Sequence, residues 1–162
     1  MIRQFRADDA SACSEIVREC LEHDPQMSAS LRAGLLCSEK AEAMMQRAAA
    51  FYVAVHESEE GILGVGGLDL NELRLLYVRP SHQGKGIGSA LLSHLESMVP
   101  AALFADIFVY STLASVDFYR ARGFSIRGEY AFEVGPDQLT TVFMTKPTVT
   151  GWNFPNYGEN PA

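Results

Sequence analysis

Gln83-Gly84-Lys85-Gly86-Ile87-Gly88-Ser89-Ala90-Leu91-Leu92 is the stretch on which the reading of this chain turns. Three glycines alternate between an apolar run ending at Val78 and an amphipathic stretch opening near Ile87. A strand, a glycine loop and a helix in that order aim several backbone N–H groups and a helix N-terminus at one spot. That is an anion cradle, and its usual occupant is a phosphate. A Walker A loop needs a lysine followed by Ser or Thr, whereas Lys85 is followed by Gly86. A dinucleotide fingerprint counted from Gly84 needs its third glycine at 89, which is Ser89.

Outward from the loop, the pattern predicts strands over 73–78 and 103–109, with helices over 87–98 and 112–122 closed by Pro100 and Gly123. Two further strands, 124–130 and 139–146, flank the turn Gly135-Pro136-Asp137. Upstream, 1–6 reads as a strand, followed by a helix with Ala12, Ile16, Val17 and Cys20 on one face. Residues 23–30 read as a break, and a second helix runs from Ser38 to Ala50. Runs 51–56 and 62–70 form a hairpin around an acidic turn. The whole predicts one α/β domain: a central, mixed but mostly antiparallel twisted sheet of six or seven strands flanked by about four helices. The domain spans 1–147, and 148–162 is a C-terminal extension carrying Trp152, Phe154 and Tyr157.

The 162 residues suit a single core, and 48% apolar with 20% charged residues is ordinary for a globular chain. A net charge of −7 disfavours general nucleic-acid binding, which needs basic stripes, and is compatible with a cationic substrate. Cys13, Cys20 and Cys37 form no C-x-x-C pair, no secretory signal opens the chain, and no apolar run is long enough to span a membrane. These features predict reduced thiols and a cytoplasmic location. The four histidines have no partners at ligand spacing, so no metal is expected.

Gln83-x-x-Gly86-x-Gly88, with the strand Leu73–Val78 before it, resembles the acyl-CoA signature of the GCN5-related N-acetyltransferase (GNAT) family. A second stretch, Ser111–Phe124 with the core A-x-x-x-F-Y-x-x-x-G-F, resembles that family's other motif, although Ser111 stands where many members carry Asn. The resemblance covers roughly residues 1–147. It implies acetyl-CoA as acyl donor and a primary amine as acceptor, either a small molecule or a peptide. It also allows a homodimer.

Carried onto this chain, the resemblance implies that Gln83, Gly84, Lys85, Gly86, Ile87, Gly88 and Ser89 hold the diphosphate. Leu76, Tyr77 and Val78 offer main-chain groups to the pantetheine arm and the acetyl carbonyl, and Ser111, Ser115 and Phe118 complete the donor site. Tyr119 is the candidate acid for the leaving thiolate, and Glu72 the candidate base for the amine. Strand alternation puts Glu72, Arg74, Leu76 and Val78 on one face. Helical spacing sends Phe118 inward and Tyr119 toward the cleft. No cysteine lies in either motif, which predicts direct transfer in a ternary complex. Two other readings remain at this point: a non-catalytic acyl-CoA sensor, and a toxin-like enzyme that acetylates aminoacyl-tRNA.

Overall fold

The computed structural model describes residues 1–148. The 148–162 extension, apart from Thr148, lies outside the described residues. Seven strands form one sheet: β1 (Ile2–Gln4), β2 (Tyr52–Ser58), β3 (Gly61–Asp69), β4 (Glu72–Val78), β5 (Asp106–Thr112), β6 (Ser125–Val134) and β7 (Asp137–Pro147). Their order is β1-β2-β3-β4-β5-β7-β6, and every neighbouring pair is antiparallel except β4 and β5. The helices are α1 (Ala10–His23), α2 (Ala29–Ser38), α3 (Ala41–Ala50), α4 (Ile87–Met98) and α5 (Val116–Arg120).

The predicted helix over 38–50 is α3, which starts at Ala41; ahead of it stands a helix the sequence pattern did not predict, α2, which overlaps the predicted break at Ala29 and Ser30. Ser28 caps it, accepting from the Leu31 N–H at 3.2 Å. Its Leu31, Leu35 and Leu36 join the core on the α1 side. Pro25 marks only the turn before it.

The sheet buries both faces. Ile87, Leu91, Leu92 and Leu95 of α4 pack on one, over Ala54, Leu68, Val109, Val142 and Met144. Ile16 and Val17 of α1 and Met44 of α3 pack on the other, over Val53, Val55, Val65 and Leu75. α4 lies directly on the β3 backbone: a Cβ added at Gly64 would stand 2.9 Å from Leu91 Cδ1, and one at Gly66 2.8 Å from Leu95 Cδ1. Those two glycines set how close α4 comes, and hence where its N-terminus points.

β4 and β5 pair only at Glu72↔Phe108 and Leu73↔Val109, then part. β5 stays paired with β7 from Asp106 to Thr112, so the gap beyond Leu73 is a wedge open toward α4's N-terminus.

At the other edge of the sheet, Arg3 donates to both Asp9 carboxylate oxygens (2.7 and 2.9 Å) and both Glu57 oxygens (2.7 and 3.0 Å). Asp9 is 7% exposed and also accepts from the Arg6 N–H. The Arg3 hydrogen bonds hold its carboxyl below the usual range. Arg3→Met strands that carboxylate and is expected to cost about 2 kcal/mol at pH 7, the lower side for breaking such a pair because it sits at the sheet edge. A depressed carboxyl pKa stabilises above its unfolded value, about 3.9, and that stability is lost as pH falls through the folded value. Urea melts at pH 7 and pH 3 should therefore show the gap between wild type and variant narrowing in acid.

Candidate active site

The wedge between β4 and β5 is a cleft of about 470 Å³ lined by Leu76 and Val78, by Gln83, Gly84, Gly86, Gly88 and Ser89, and by Ala114, Ser115, Phe118, Tyr119 and Arg122. The two sequence motifs thus face each other across it. Gly84 and Gly86 have φ of 74° and 85°, the left-handed region, and Gly86 is the residue that caps α4. Their turns direct the loop's N–H groups and the positive end of α4 at one place.

Main-chain groups of β4 are divided by strand geometry. The Arg79 N–H donates to the Leu63 carbonyl at 2.9 Å. With Val65↔Tyr77 and Gly64↔Val78 in register, alternation turns the Tyr77 groups toward β3 and those of Leu76 and Val78 into the wedge. The Val78 carbonyl accepts there from Gln83 Nε2 (3.0 Å) and from the Cys20 thiol (3.2 Å). Of the three expected donors, Leu76 and Val78 have their groups free of the sheet and Tyr77 does not.

The alternation expected along β4 is broken. Gly67 pairs with Leu75 and Leu68 with Leu73, so Arg74 is an extra residue, a β-bulge. Leu73 packs on the α4 side while Leu75 packs on the α1 side. Glu72 therefore shares a face with its neighbour Phe108 and not with Leu76 and Val78. It sits at the closed end of the wedge, its Oε2 3.3 Å from Arg74 Nη1.

The helix phase also differs from expectation. A tight turn over Leu113–Ser115 precedes a five-residue α5, and its three-residue period resets which side chains align. Tyr119 is the buried residue (5% exposed), stacked edge-on with Phe118 and Phe124 at 5.1 and 5.3 Å. Phe118 is half-buried and walls the cleft. The Tyr119 hydroxyl has no protein hydrogen bond among the described residues, and burial pushes its pKa well above the ordinary phenol value.

Lys85 is exposed at the loop tip and Ile87 is in the core. Ser111 is buried away from the cleft, donating to the Thr112 carbonyl at 2.7 Å. Two residues went unseen in the sequence. Arg122 lies 3.7 Å over the Phe118 ring, donates to Ser89 Oγ at 2.9 Å and to the Phe118 carbonyl at 2.7 Å, and has no carboxylate partner among the described residues. Cys20 is brought from α1 against Val78. Its burial pushes the thiol up to about 11. Neither has a local motif, because each depends on contacts across the fold.

A second cavity, of about 270 Å³, opens on the opposite side of the wedge between the end of α1 and β4. It shares Leu76, Val78, Gln83, Ala114 and Ser115 with the first. Two ligands entering from opposite faces would meet at those residues. Among the described residues no group of three or more His, Cys, Asp or Glu is placed to hold a metal ion, and no helix is long and apolar enough to cross a membrane.

A family model described as the acetyltransferase (GNAT) domain matches residues 25–139, well over half of the chain. No curated protein matches. Among solved structures, a GCN5-related N-acetyltransferase from Rhodopseudomonas palustris superposes with a TM-score of 0.84 at 18% identity, covering 91% of this chain and 94% of that one. A phosphinothricin acetyltransferase of the GNAT superfamily from Sinorhizobium meliloti, in complex with acetyl-CoA, gives 0.66 at 25% identity over 99% and 95%. An N-acetyltransferase from Thermoplasma acidophilum, in complex with coenzyme A, gives 0.71 at 18% over 91% and 98%. The wedge, the glycine cradle and the family match agree: this chain belongs to the GNAT acetyltransferase family.

Proposed function

We propose that the protein is an acetyl-CoA-dependent N-acetyltransferase that moves the acetyl group to a primary amine by direct attack in a ternary complex. The observation that carries this reading is the wedge itself. It leaves the Leu76 and Val78 N–H groups clear of the sheet, in a cleft lined by both the glycine loop and Tyr119. In the proposal the glycine loop and α4 hold the diphosphate, and a β4 N–H polarises the acetyl carbonyl where the oxyanion develops. Tyr119 faces the leaving sulfur. Glu72, on the acceptor face, takes the amine proton through intervening water.

Direct attack is favoured over an acetyl-cysteine. Cys20 is the cysteine beside the reacting position, and with its pKa near 11 only a fraction on the order of 10⁻⁴ is thiolate at pH 7.

Thiol release from acetyl-CoA across a panel of primary amines tests the assignment. Amine-dependent release is expected. Tight acetyl-CoA binding with no release for any amine would favour the sensor, and release only with aminoacyl-tRNA would favour the tRNA-directed enzyme. Glu72→Gln should shift the acid limb of the pH–rate profile, and an unmoved limb would remove Glu72 as base.

Arg122 belongs to the donor site in this proposal: a guanidinium with only neutral acceptors, beside the cradle, is a ready phosphate contact. Arg122→Met should weaken coenzyme A binding by about tenfold, the worth of one charge-assisted hydrogen bond, and flatten its salt dependence. Calorimetric titration at two salt concentrations measures both effects.

A further inference from the structure

The acceptor side of the wedge carries a pattern that the transfer reaction alone does not require. Asp24 lines both cavities on that side, the one opening on Val78 and a neighbouring one of about 180 Å³ between the α1–α2 turn and β7. Among the described residues it is the only carboxylate in either lining, and none of those lining residues is a lysine or arginine.

The turn that presents Asp24 is fixed from below. Arg32 donates to the carbonyls of Leu21, Asp24 and Met27 at 3.0, 2.7 and 3.0 Å, so its donors are directed at main chain. One Asp24 oxygen, Oδ1, accepts from the Gln26 N–H at 2.9 Å.

Thr112 also lines both cavities, and Tyr110 is its same-face neighbour on β5. Tyr110 is the centre of an aromatic floor, with ring centroids 5.1 Å from Phe143, 5.2 Å from Phe132 and 5.8 Å from Tyr130. Tyr110, Phe132 and Tyr130 are 37%, 43% and 51% exposed, so these rings are open to a ligand. The aromatic faces line neither cavity but begin one same-face position along β5 from Thr112, which shares both cavities with Asp24. A carboxylate and open rings within the span of one extended ligand, on a chain of net charge −7, are complementary to alkylammonium groups and hostile to an anion.

Resting on the acetyl transfer proposed above, we propose that the acceptor is a flexible polycationic amine, whose second, non-reacting ammonium is held by Asp24 and the aromatic floor around Tyr110. The reacting amine then reaches the wedge at Leu76 and Val78 from the cavity that Asp24 lines. Attachment at the second ammonium selects di- and polyamines over monoamines of equal length and over amino acids, whose carboxylate would meet Asp24.

The test is run on the full chain. Coenzyme A is titrated first, so that failure of the donor site is seen separately. Spermidine is then titrated into the coenzyme A complex, and kcat/KM is measured for spermidine and for n-butylamine by thiol release. Spermidine is expected to bind, and its kcat/KM to exceed that of butylamine by at least tenfold. Asp24→Asn keeps an acceptor for Gln26 and should cut that ratio about tenfold through KM for spermidine. Tyr110→Leu should cut it about threefold, the size of an exposed cation–π contact. Tight coenzyme A binding with no spermidine binding, a ratio near one, or a ratio that Asp24→Asn leaves unchanged would each overturn the inference and leave the transferase assignment standing. Absence of coenzyme A binding would overturn both. A dimer that buries Tyr110 and Phe132 and excludes spermidine would also overturn it, giving that face to a second copy of the chain.

Discussion

Tyr119→Phe lowers acetyl transfer at saturating donor and acceptor by about 10²-fold while leaving donor affinity and melting temperature nearly unchanged. The substitution deletes one oxygen from a ring that keeps its stacking on Phe118 and Phe124. That oxygen makes no protein hydrogen bond among the described residues, so no structural bond is lost with it. What is lost, on the proposed assignment, is the donor facing the leaving sulfur. The thiol of coenzyme A resembles that of cysteine, with a pKa of about 8.5. Burial puts the Tyr119 phenol well above its ordinary value, so complete proton transfer to the thiolate is uphill. In the proposed reaction Tyr119 then acts by hydrogen bonding to the developing thiolate, an interaction worth about 1.5–3 kcal/mol when the acceptor is charged.

The sign of the shift fixes the pH dependence. A raised phenol stays protonated as pH rises, so Tyr119 adds no falling limb to the rate below about pH 10. Tyr119→Phe should therefore depress the whole profile without moving its limbs. Unchanged turnover would take Tyr119 out of the chemistry, and a collapse of donor affinity would make its role one of packing.

The strand, glycine loop and helix that open the cleft were readable from local sequence because their determinants are local. A glycine-rich loop between a strand and a helix fixes its own backbone, and Gly84 and Gly86 take the left-handed conformations that their residue type allows. Fold class followed from the same stretch and from the order of apolar runs. The features that were not readable depend on register or on long-range contact. The bulge at Arg74 comes from how β4 meets β3, and nothing in Glu72-Leu73-Arg74-Leu75 marks it. It turns Glu72 to the α1 side of the sheet, the side from which the proposal brings the amine, although simple alternation sets it with Leu76 and Val78. Arg122 and Cys20 were passed over for the same reason: Ser89 and Val78, the groups that give them meaning, lie 33 and 58 positions away. α2 was missed because Pro25 reads as a break while the Ser28 cap behind it is a single residue.

Gly86→Val raises the dissociation constant for coenzyme A by at least 10²-fold while costing the unliganded protein only about 1–2 kcal/mol. The structural cost is the left-handed backbone at φ 85°, which a β-branched residue adopts poorly. There is no added clash, because nothing stands within 4 Å of a Cβ at this position. That open space is the point of the prediction. The proposal seats the diphosphate against this loop, so a side chain in that open space competes with it, and two or three charge-assisted hydrogen bonds of about 1.5–3 kcal/mol each are lost together. Gly86→Ala carries the same kind of strain with less intrusion, so its binding loss should be smaller while its stability loss is similar. Gly66→Val is the opposite case: its Cβ would stand 2.8 Å from Leu95, so it should destabilise the fold by prising α4 from β3. Calorimetric titration and thermal melts on the three variants separate strain, intrusion and packing. A Gly86→Val protein that melts lower yet binds coenzyme A as the wild type does would mean that the loop is a tight turn and not the seat of the diphosphate.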